Sequence, residues 1–332
     1  MTTQTFAEID IPDHARDRMS AELVELPDPS HDADWTMTRL HQVFAGLPVE
    51  QLRAILDFGR HVDTPGVALV RNLPTDPQLP PTPASGGPAE DKKTFVAEGV
   101  LLGLSGLLGE PVGIVSEKAG RLVHDVVPVQ QGATTQTNMG SKVFLNFHND
   151  IVHDSIGRYD VSNPDFLVLS CLRQDPAQEA VTSYADARDV IAALPSGTVE
   201  VLRSPLFQLN APGNYCRDYA GGEPVWADPM PIISGPAAYP EIAVSANGVK
   251  ALTTTAEDAF EQLQRACREV AHQVRLAPGT ALLINNRKGL HARSQFRANY
   301  DGNDRWLQRT YVRRSLWTLR YRLSEQERRV MA

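Results

Sequence analysis

Two short stretches of this 332-residue chain concentrate the side chains that could do chemistry. The first is Phe147-His148-Asn149-Asp150. The second spans residues 285–309 and contains His291, Arg305 and Arg309. Together they offer two imidazoles, one carboxylate and two guanidinium groups. Two neutral imidazoles and one carboxylate on one face of a metal are the donor set that suits non-haem Fe(II), and they leave the opposite face open to a chelating co-substrate and O2. A guanidinium presents a rigid fork of donors that clamps a carboxylate through two parallel hydrogen bonds. The pattern points to a metal centre flanked by two carboxylate-binding positions.

Local sequence decides which histidine belongs to the set. Val143-Phe144-Leu145-Asn146-Phe147 alternates and is rich in β-formers, so it predicts a strand. His148 and Asp150, two apart on its continuation, would point to the same face. His153 and Asp154 are adjacent and would face opposite ways on a strand, so they do not compete. Ala281-Leu282-Leu283-Ile284 predicts a buried strand after the Pro278-Gly279 turn, and a basic, polar loop carrying His291 follows. Arg305 lies fourteen residues past His291, and Arg309 four beyond that. On one strand this even spacing turns both guanidinium groups to the same side, where two carboxylates could be held next to each other.

With these residues in view, a resemblance is plain. Leu122-Val123-His124-Asp125-Val126-Val127-Pro128, Phe147-His148-Asn149-Asp150, Leu167-Val168-Leu169-Ser170-Cys171-Leu172-Arg173, Ala180-Val181-Thr182, Leu276-Ala277-Pro278-Gly279 and Asp304-Arg305-Trp306-Leu307-Gln308-Arg309 follow one another over about residues 110–318. No single piece is diagnostic, but the ordered set resembles the clavaminate synthase-like branch of the Fe(II)/2-oxoglutarate-dependent oxygenases, which hydroxylates free amino acids. The resemblance implies Fe(II), 2-oxoglutarate and O2 as cofactor and co-substrates, with succinate and CO2 released. It implies that His148, Asp150 and His291 bind the metal and that Arg305, assisted by the Thr182 hydroxyl, takes the distal carboxylate of 2-oxoglutarate. Arg309 is expected to hold the α-carboxylate of an amino-acid substrate or small derivative, with Glu117 near its α-amino group. The stretch 151–155 is expected at the mouth of the site.

Two departures from that branch matter. The carboxylate ligand is Asp150, where the branch commonly has Glu; Asp is one methylene shorter and changes the shape beside the metal, not the donor set. Where arginine hydroxylases of the branch place acids around a guanidinium, this chain has Gln208-Leu209-Asn210 and Ala243-Val244-Ser245-Ala246-Asn247. A cationic head group buried without a partner carboxylate is costly, so the expected substrate side chain is not a guanidinium, and Asn210 is a candidate contact for a neutral polar one. Desaturation, epoxidation or cyclisation of a natural-product intermediate uses the same cofactor chemistry and is the alternative. A non-catalytic ligand-binding protein on the same fold is the outside one.

The elements that must position these residues are readable as periodicity. Helices are predicted over 34–44, 49–58, 94–108, 185–194 (with Asp186 as N-cap) and 256–274, the last capped by Thr255 and Asp258 with a stripe of Phe260, Leu263, Cys267, Val270 and Val274. Strands are predicted over 66–71, 166–172, 181–184, 199–202, 207–209, 242–244 and within 309–323. Residues 1–33 read as a polar arm, and 75–91 as a Pro- and Gly-rich loop. Many short strands with helices before and beside them suit a mainly β, α+β fold: a double-stranded β-helix (distorted jelly roll) flanked by helices. The expected division is an N-terminal arm and helical region over 1–110 packed on the barrel, a catalytic core over 111–323 and a solvated tail over 324–332.

Composition narrows the partners. With 42% hydrophobic and 22% charged residues the chain is an ordinary globular one. A net charge of −8 leaves no basic excess for nucleic acid or anionic membrane. No apolar run approaches a membrane span, and Met1-Thr2-Thr3-Gln4 carries no apolar leader, so a cytoplasmic setting and a small-molecule substrate are expected. Cys171, Cys216 and Cys267 are too few and scattered for a disulfide framework or a zinc site. Nothing in the sequence fixes an oligomeric state.

Overall fold

The computed structural model describes residues 5–152, 163–324 and 328–330. His153, Asp154 and Ser155 lie outside the described residues.

The chain begins with β1 (Phe6–Asp10) and α1 (Asp13–Leu23). The arm expected over 1–33 is therefore an ordered strand and helix. Ala15, Met19 and Leu23 bury the inner face of α1 at one residue per turn, an apolar signal too thin to stand out of a polar sequence. Next come α2 (Ala33–Ala45), capped by the Asp32 carboxylate on the Trp35 amide, and α3 (Val49–Arg60). After β2 (Val67–Arg71), residues 72–95 hold no regular element. The buried, apolar α4 (Val96–Leu108) stops at Gly109.

The strands that carry the site follow: β3 (Glu110–Ile114), β4 (His124–Val126), β5 (Leu145–His148), β6 (Phe166–Arg173) and β7 (Thr182–Asp186). Asp186 then caps α5 (Ala187–Ala193), accepting from the Arg188 amide. Residues 199–202, predicted as a strand, belong to α6 (Ser196–Leu202): Thr198 and Leu202, four apart, are its buried face. Four short strands, β8 (Phe207–Leu209), β9 (Ile233–Ser234), β10 (Glu241–Ile242) and β11 (Val249–Ala251), flank the short helix α7 (Gly213–Tyr219). The long amphipathic α8 (Thr254–Val270) is capped by Thr253, not by Thr255, and ends before Val274. Val274 instead lies in β12 (His272–Val274), whose backbone pairs with β7. The chain closes with β13 (Ala281–Asn285), β14 (Gly289–Arg293), β15 (Trp306–Arg313) and β16 (Arg329–Val330). The last long strand thus ends at Arg313, and a 3-10 turn capped by Ser315 follows.

Two main sheets result, beside the two-stranded pairs β10-β9 and β11-β8, in a mixed α+β fold. The larger runs β1-β2-β13-β6-β15-β3-β16, with β4 also paired to β15; the smaller runs β12-β7-β14-β5. Since β1 and β2 extend the large sheet, residues before 110 contribute strands to it as well as helices. One apolar cluster joins Leu69, Leu167, Ile284 and Tyr311 of the large sheet to Tyr184 and Val274 of the small one, so the two sheets face each other. A second cluster packs α1 to α4 against the outer face of the large sheet. A third packs α5, α6 and α8 against the small sheet, including Ala185, Leu290 and Ala292. Phe166 to Leu172 in β6 are all buried, as expected of a strand covered on both faces.

Candidate active site

Between the sheets lies a cavity of about 640 Å³ that brings together most of the residues singled out in the sequence. His148 ends β5 and His291 sits on β14, directly opposite in register, with ring centroids 4.2 Å apart. Asp150 is not on the strand with His148 as the pleat argument had it. The strand stops, Asn149 bridges to Ser245, and Asp150 occupies a bend. Two amide side chains shape that bend. Asn286 receives the Asp150 N–H on its Oδ1 at 3.1 Å and donates back to the Asp150 carbonyl at 2.9 Å. Asn149 donates to the carbonyls of Asn286 and Gly289 and accepts from the Val244 N–H. Ile151 then turns the chain away with φ of 50°, a left-handed conformation that β-branched residues rarely adopt.

One ligand atom from each of His148, Asp150 and His291 lies within 4.8 Å of the others. Both imidazoles present Nε2 to Asp150, at 3.6 Å for His148 and 3.9 Å for His291. The Nδ1–H of His148 donates to the Asn146 carbonyl at 2.7 Å, which fixes the tautomer and leaves Nε2 free as a metal donor. Burial and the neighbouring His148 push the His291 imidazole down to about 3, so it is neutral; its Nδ1 is buried without a partner among the described residues. Burial alone would raise the Asp150 carboxyl, but Arg309 and the two imidazoles hold it well below the usual carboxylate range. The three donors converge, with Asp150 held as a carboxylate and His291 as a neutral imidazole, which fits a divalent metal.

The odd-numbered residues Arg305, Leu307, Arg309 and Tyr311 all line this cavity. Arg305 is 6% exposed and donates through Nη2 to the Thr182 hydroxyl at 3.2 Å. It forms no ion pair among the described residues, and burial lowers its pKa. Its guanidinium and that of Arg293 share the Phe296 ring, at 5.8 and 5.4 Å from the centroid. Sequence reasoning passed over Arg293. It stands two residues after His291, on the same face of β14, and ties the loop before β5 through the carbonyls of Gly140 and Val143.

Arg309 is engaged in a different way, through its two terminal nitrogens. Nη1 donates to Asp150 Oδ2 at 2.8 Å and Nη2 to Glu117 Oε1 at 2.6 Å. Nη2 also reaches His124 Nδ1 at 3.3 Å, and the Nε2–H of His124 donates to the Arg121 carbonyl. The Tyr311 hydroxyl donates to the other oxygen of Glu117 at 2.7 Å, and its ring lies 4.6 Å from the Arg309 guanidinium. Glu117 and Arg309 therefore form one ion pair beside the metal donors, and His124 and Tyr311 complete it.

Asn210 is not among the residues lining the cavity; its side chain donates to the Asn247 carbonyl at 3.1 Å. Other neutral groups line the outer part: Gln136, Asn138, Asn214, Ser245 and Asn247. Asp218, on α7 at the same end, pairs with Arg217 at 2.7 Å.

The model of the family described as "Taurine catabolism dioxygenase TauD, TfdA family" matches residues 45–311. The chain is 34% identical over 282 residues to the L-asparagine oxygenase of Streptomyces coelicolor, covering 85% of this chain and 80% of that protein. It is 31% identical over 305 residues to clavaminate synthase 2 of Streptomyces clavuligerus, covering 90% of each. Among solved structures, asparagine oxygenase in complex with Fe(II), 2S,3S-3-hydroxyasparagine and succinate superposes with a TM-score of 0.87 at 30% identity, over 98% of this chain and 99% of that one. By the extent of these matches, the chain belongs to the TauD, TfdA family of dioxygenases.

Proposed function

We propose that the protein is an Fe(II)- and 2-oxoglutarate-dependent dioxygenase that hydroxylates an unactivated C–H bond of a free amino acid or small derivative. The observation that carries this reading is the convergence, in one cavity, of a two-histidine, one-carboxylate donor set with a buried guanidinium, Arg305, that has no carboxylate partner among the described residues. The two facing sheets are read as a double-stranded β-helix, with 111–323 as the catalytic core and 1–110 as its N-terminal flank; the stretch 324–332 is not simply a solvated tail, since Arg329–Val330 pairs with β3 and buries Val330.

His148, Asp150 and His291 would hold the iron. When bound, iron would activate O2 as the oxidant at the expense of 2-oxoglutarate, which would be oxidised to succinate and CO2. The chain's own task is to bind, orient and exclude water. Arg305 takes the distal carboxylate of 2-oxoglutarate, with the Thr182 hydroxyl completing the clamp. A buried guanidinium without an anion is costly, so the incoming carboxylate relieves an existing penalty. The Glu117–Arg309 pair matches the charge pattern of an α-amino acid: Arg309 faces the α-carboxylate and Glu117 the α-ammonium. Leu167, Leu169 and Leu307 form the apolar wall that keeps water from the reacting bond. Among the described residues, the lining beyond that wall is mostly neutral and polar, and the acid there, Asp218, is already paired to Arg217. This favours a substrate with an uncharged polar side chain over one with a guanidinium.

The test is anaerobic loading with Fe(II) and 2-oxoglutarate, then exposure to air with a panel of free amino acids that begins with asparagine and includes arginine and lysine. Succinate release that depends on the amino acid, with a product 16 mass units heavier (one added oxygen atom), is expected. A product two mass units lighter would mean desaturation or ring closure. Succinate formation indifferent to every amino acid would overturn the reading.

A further inference from the structure

Arg309 is held by three side chains, and two of them have other work once the site fills. Asp150, on Nη1, would serve the metal, and Glu117, on Nη2, would meet the α-ammonium of the substrate. Both line the cavity, as Arg309 does. The third holder is placed differently. His124 is 1% exposed and is not among the residues lining the cavity. It stands on β4 directly opposite Arg309 in the antiparallel register with β15.

Its partners decide what His124 can offer. The Arg121 carbonyl, 2.9 Å from Nε2, can only accept, so the proton sits on Nε2 and Nδ1 presents a lone pair. That lone pair faces Arg309 Nη2 at 3.3 Å. Glu117 Oε1 is 3.7 Å from Nδ1, beyond hydrogen-bond reach. The ring meets Tyr311 edge to face, with centroids 5.4 Å apart and planes at 87°, which holds it in this orientation. Arg309 needs such a hold. Its Nε is buried with no partner among the described residues, so contacts at the two terminal nitrogens set the plane of the guanidinium. When metal and ammonium engage Asp150 and Glu117, His124 is the acceptor for which no ligand competes. It is also uncharged, because burial keeps the imidazole neutral. Two carboxylates already offset the Arg309 charge, and a third acid in place of His124 would weaken its pull on an incoming carboxylate. A neutral acceptor aims the guanidinium without cancelling that charge.

We propose that His124 is a positioning residue of the amino-acid clamp: through Nδ1 it holds the Arg309 guanidinium in the plane that receives the α-carboxylate, and it touches neither substrate nor metal. The inference rests on the function proposed above and adds the residue that sets its clamp in advance.

The probe is L-asparagine or, if it is silent, the most active amino acid of the panel. His124→Leu and His124→Phe both remove the acceptor, and the second keeps a ring against Tyr311. Either should raise the amino-acid KM about tenfold, with a smaller change in kcat and the 2-oxoglutarate KM in place. His124→Asn sets an amide oxygen where Nδ1 lay and should recover most of that loss. A merely structural role would not give this recovery, since the smaller polar residue fills the apolar surroundings worse than leucine or phenylalanine. Nitrogen NMR of the parent chain with isotope-labelled histidine needs neither turnover nor a folded variant: at neutral pH His124 should show a protonated Nε2 and a bare Nδ1. The proposal would be overturned, with the proposed activity left standing, by an unchanged amino-acid KM in whichever acceptor-free variant folds. Equal losses in His124→Asn, an equal rise in the 2-oxoglutarate KM, or a proton on Nδ1 would do the same. A parent chain that turns over no amino acid of the panel would remove the proposed activity and this inference with it.

Discussion

Arg309 Nη1 lies 2.8 Å from Asp150 Oδ2, so the side chain expected to hold the substrate is bonded to a side chain expected to hold the metal. The two functions share one guanidinium. Arg309→Met should therefore raise both the substrate KM and the Fe(II) dissociation constant. Removing one partner of a buried, hydrogen-bonded charge pair costs roughly 2–5 kcal/mol, about 30-fold or more. Steady-state kinetics and anaerobic calorimetry with Fe(II) check the two halves separately; a change in neither would dissociate Arg309 from the site.

Arg305 is bonded to Thr182 and not to the metal donors, so its variants should behave differently. Arg305→Ala is expected to raise the 2-oxoglutarate KM about 30-fold or more while leaving Fe(II) affinity in place. Thr182→Val removes one neutral hydrogen bond, about 1 kcal/mol, and should raise the same constant about fivefold. An unchanged 2-oxoglutarate KM in Arg305→Ala would assign the co-substrate elsewhere.

Alanine at His148, Asp150 or His291 should abolish turnover and reduce Fe(II) binding below detection by calorimetry, since three donors are the smallest facial set. Chelation of the parent protein should stop turnover, and added Fe(II) should restore it. Full succinate production by His148→Ala would mean that another histidine serves.

Burial pushes the His124 imidazole down to about 4, from an ordinary value near 6.5. Its Nδ1 accepts from Arg309 and its Nε2–H donates to a carbonyl, an arrangement only the neutral ring can make. Between these two pH values the unfolded chain binds the proton and the folded one does not. Stability therefore falls as pH drops through that window, by about 3 kcal/mol at most from this group. Urea unfolding at several pH values should show this loss, and His124→Gln should flatten it.

Gly103 faces Phe44 across the contact of α4 with α2, and a Cβ there would meet the ring at 2.1 Å. Gly103→Ala should cost about 1–3 kcal/mol through overpacking, despite alanine's better helix propensity. A shift of the urea midpoint to lower concentration measures it; a gain in stability would mean that Phe44 can move aside freely.

Much of this site was readable because β-strands alternate. Arg305 and Arg309 both line the cavity, as their even spacing suggests, although Arg305 lies one residue before β15 and is not on the same strand, and His291 follows a buried run that reads as a strand after the Pro278-Gly279 turn. Thr182 needed the resemblance, because nothing local separates it from any other strand threonine. Arg293, His124 and Tyr311 were passed over as site residues although each obeys the same parity rule, since their roles arise from contacts with distant segments. The Asn149 and Asn286 braces are invisible for the same reason: they bond backbone groups more than 90 residues away. Among the elements, the misread 199–202 shows how a short apolar run cannot decide between helix and strand. The missed β1 is held by parallel pairing with β2, a partner some 60 residues downstream.

The pairing of His148 with a residue 143 positions later also sets a timetable for the growing chain. β6 needs β15, its neighbour in the middle of the large sheet, and β15 leaves the ribosome about 140 residues behind it. At roughly 5–20 residues per second, that leaves an apolar strand without its partner for roughly 7–28 s. The nascent protein should therefore lean on holding chaperones during this interval. Chains that terminate before β15 should be cleared as unfolded material, with no partial enzyme accumulating.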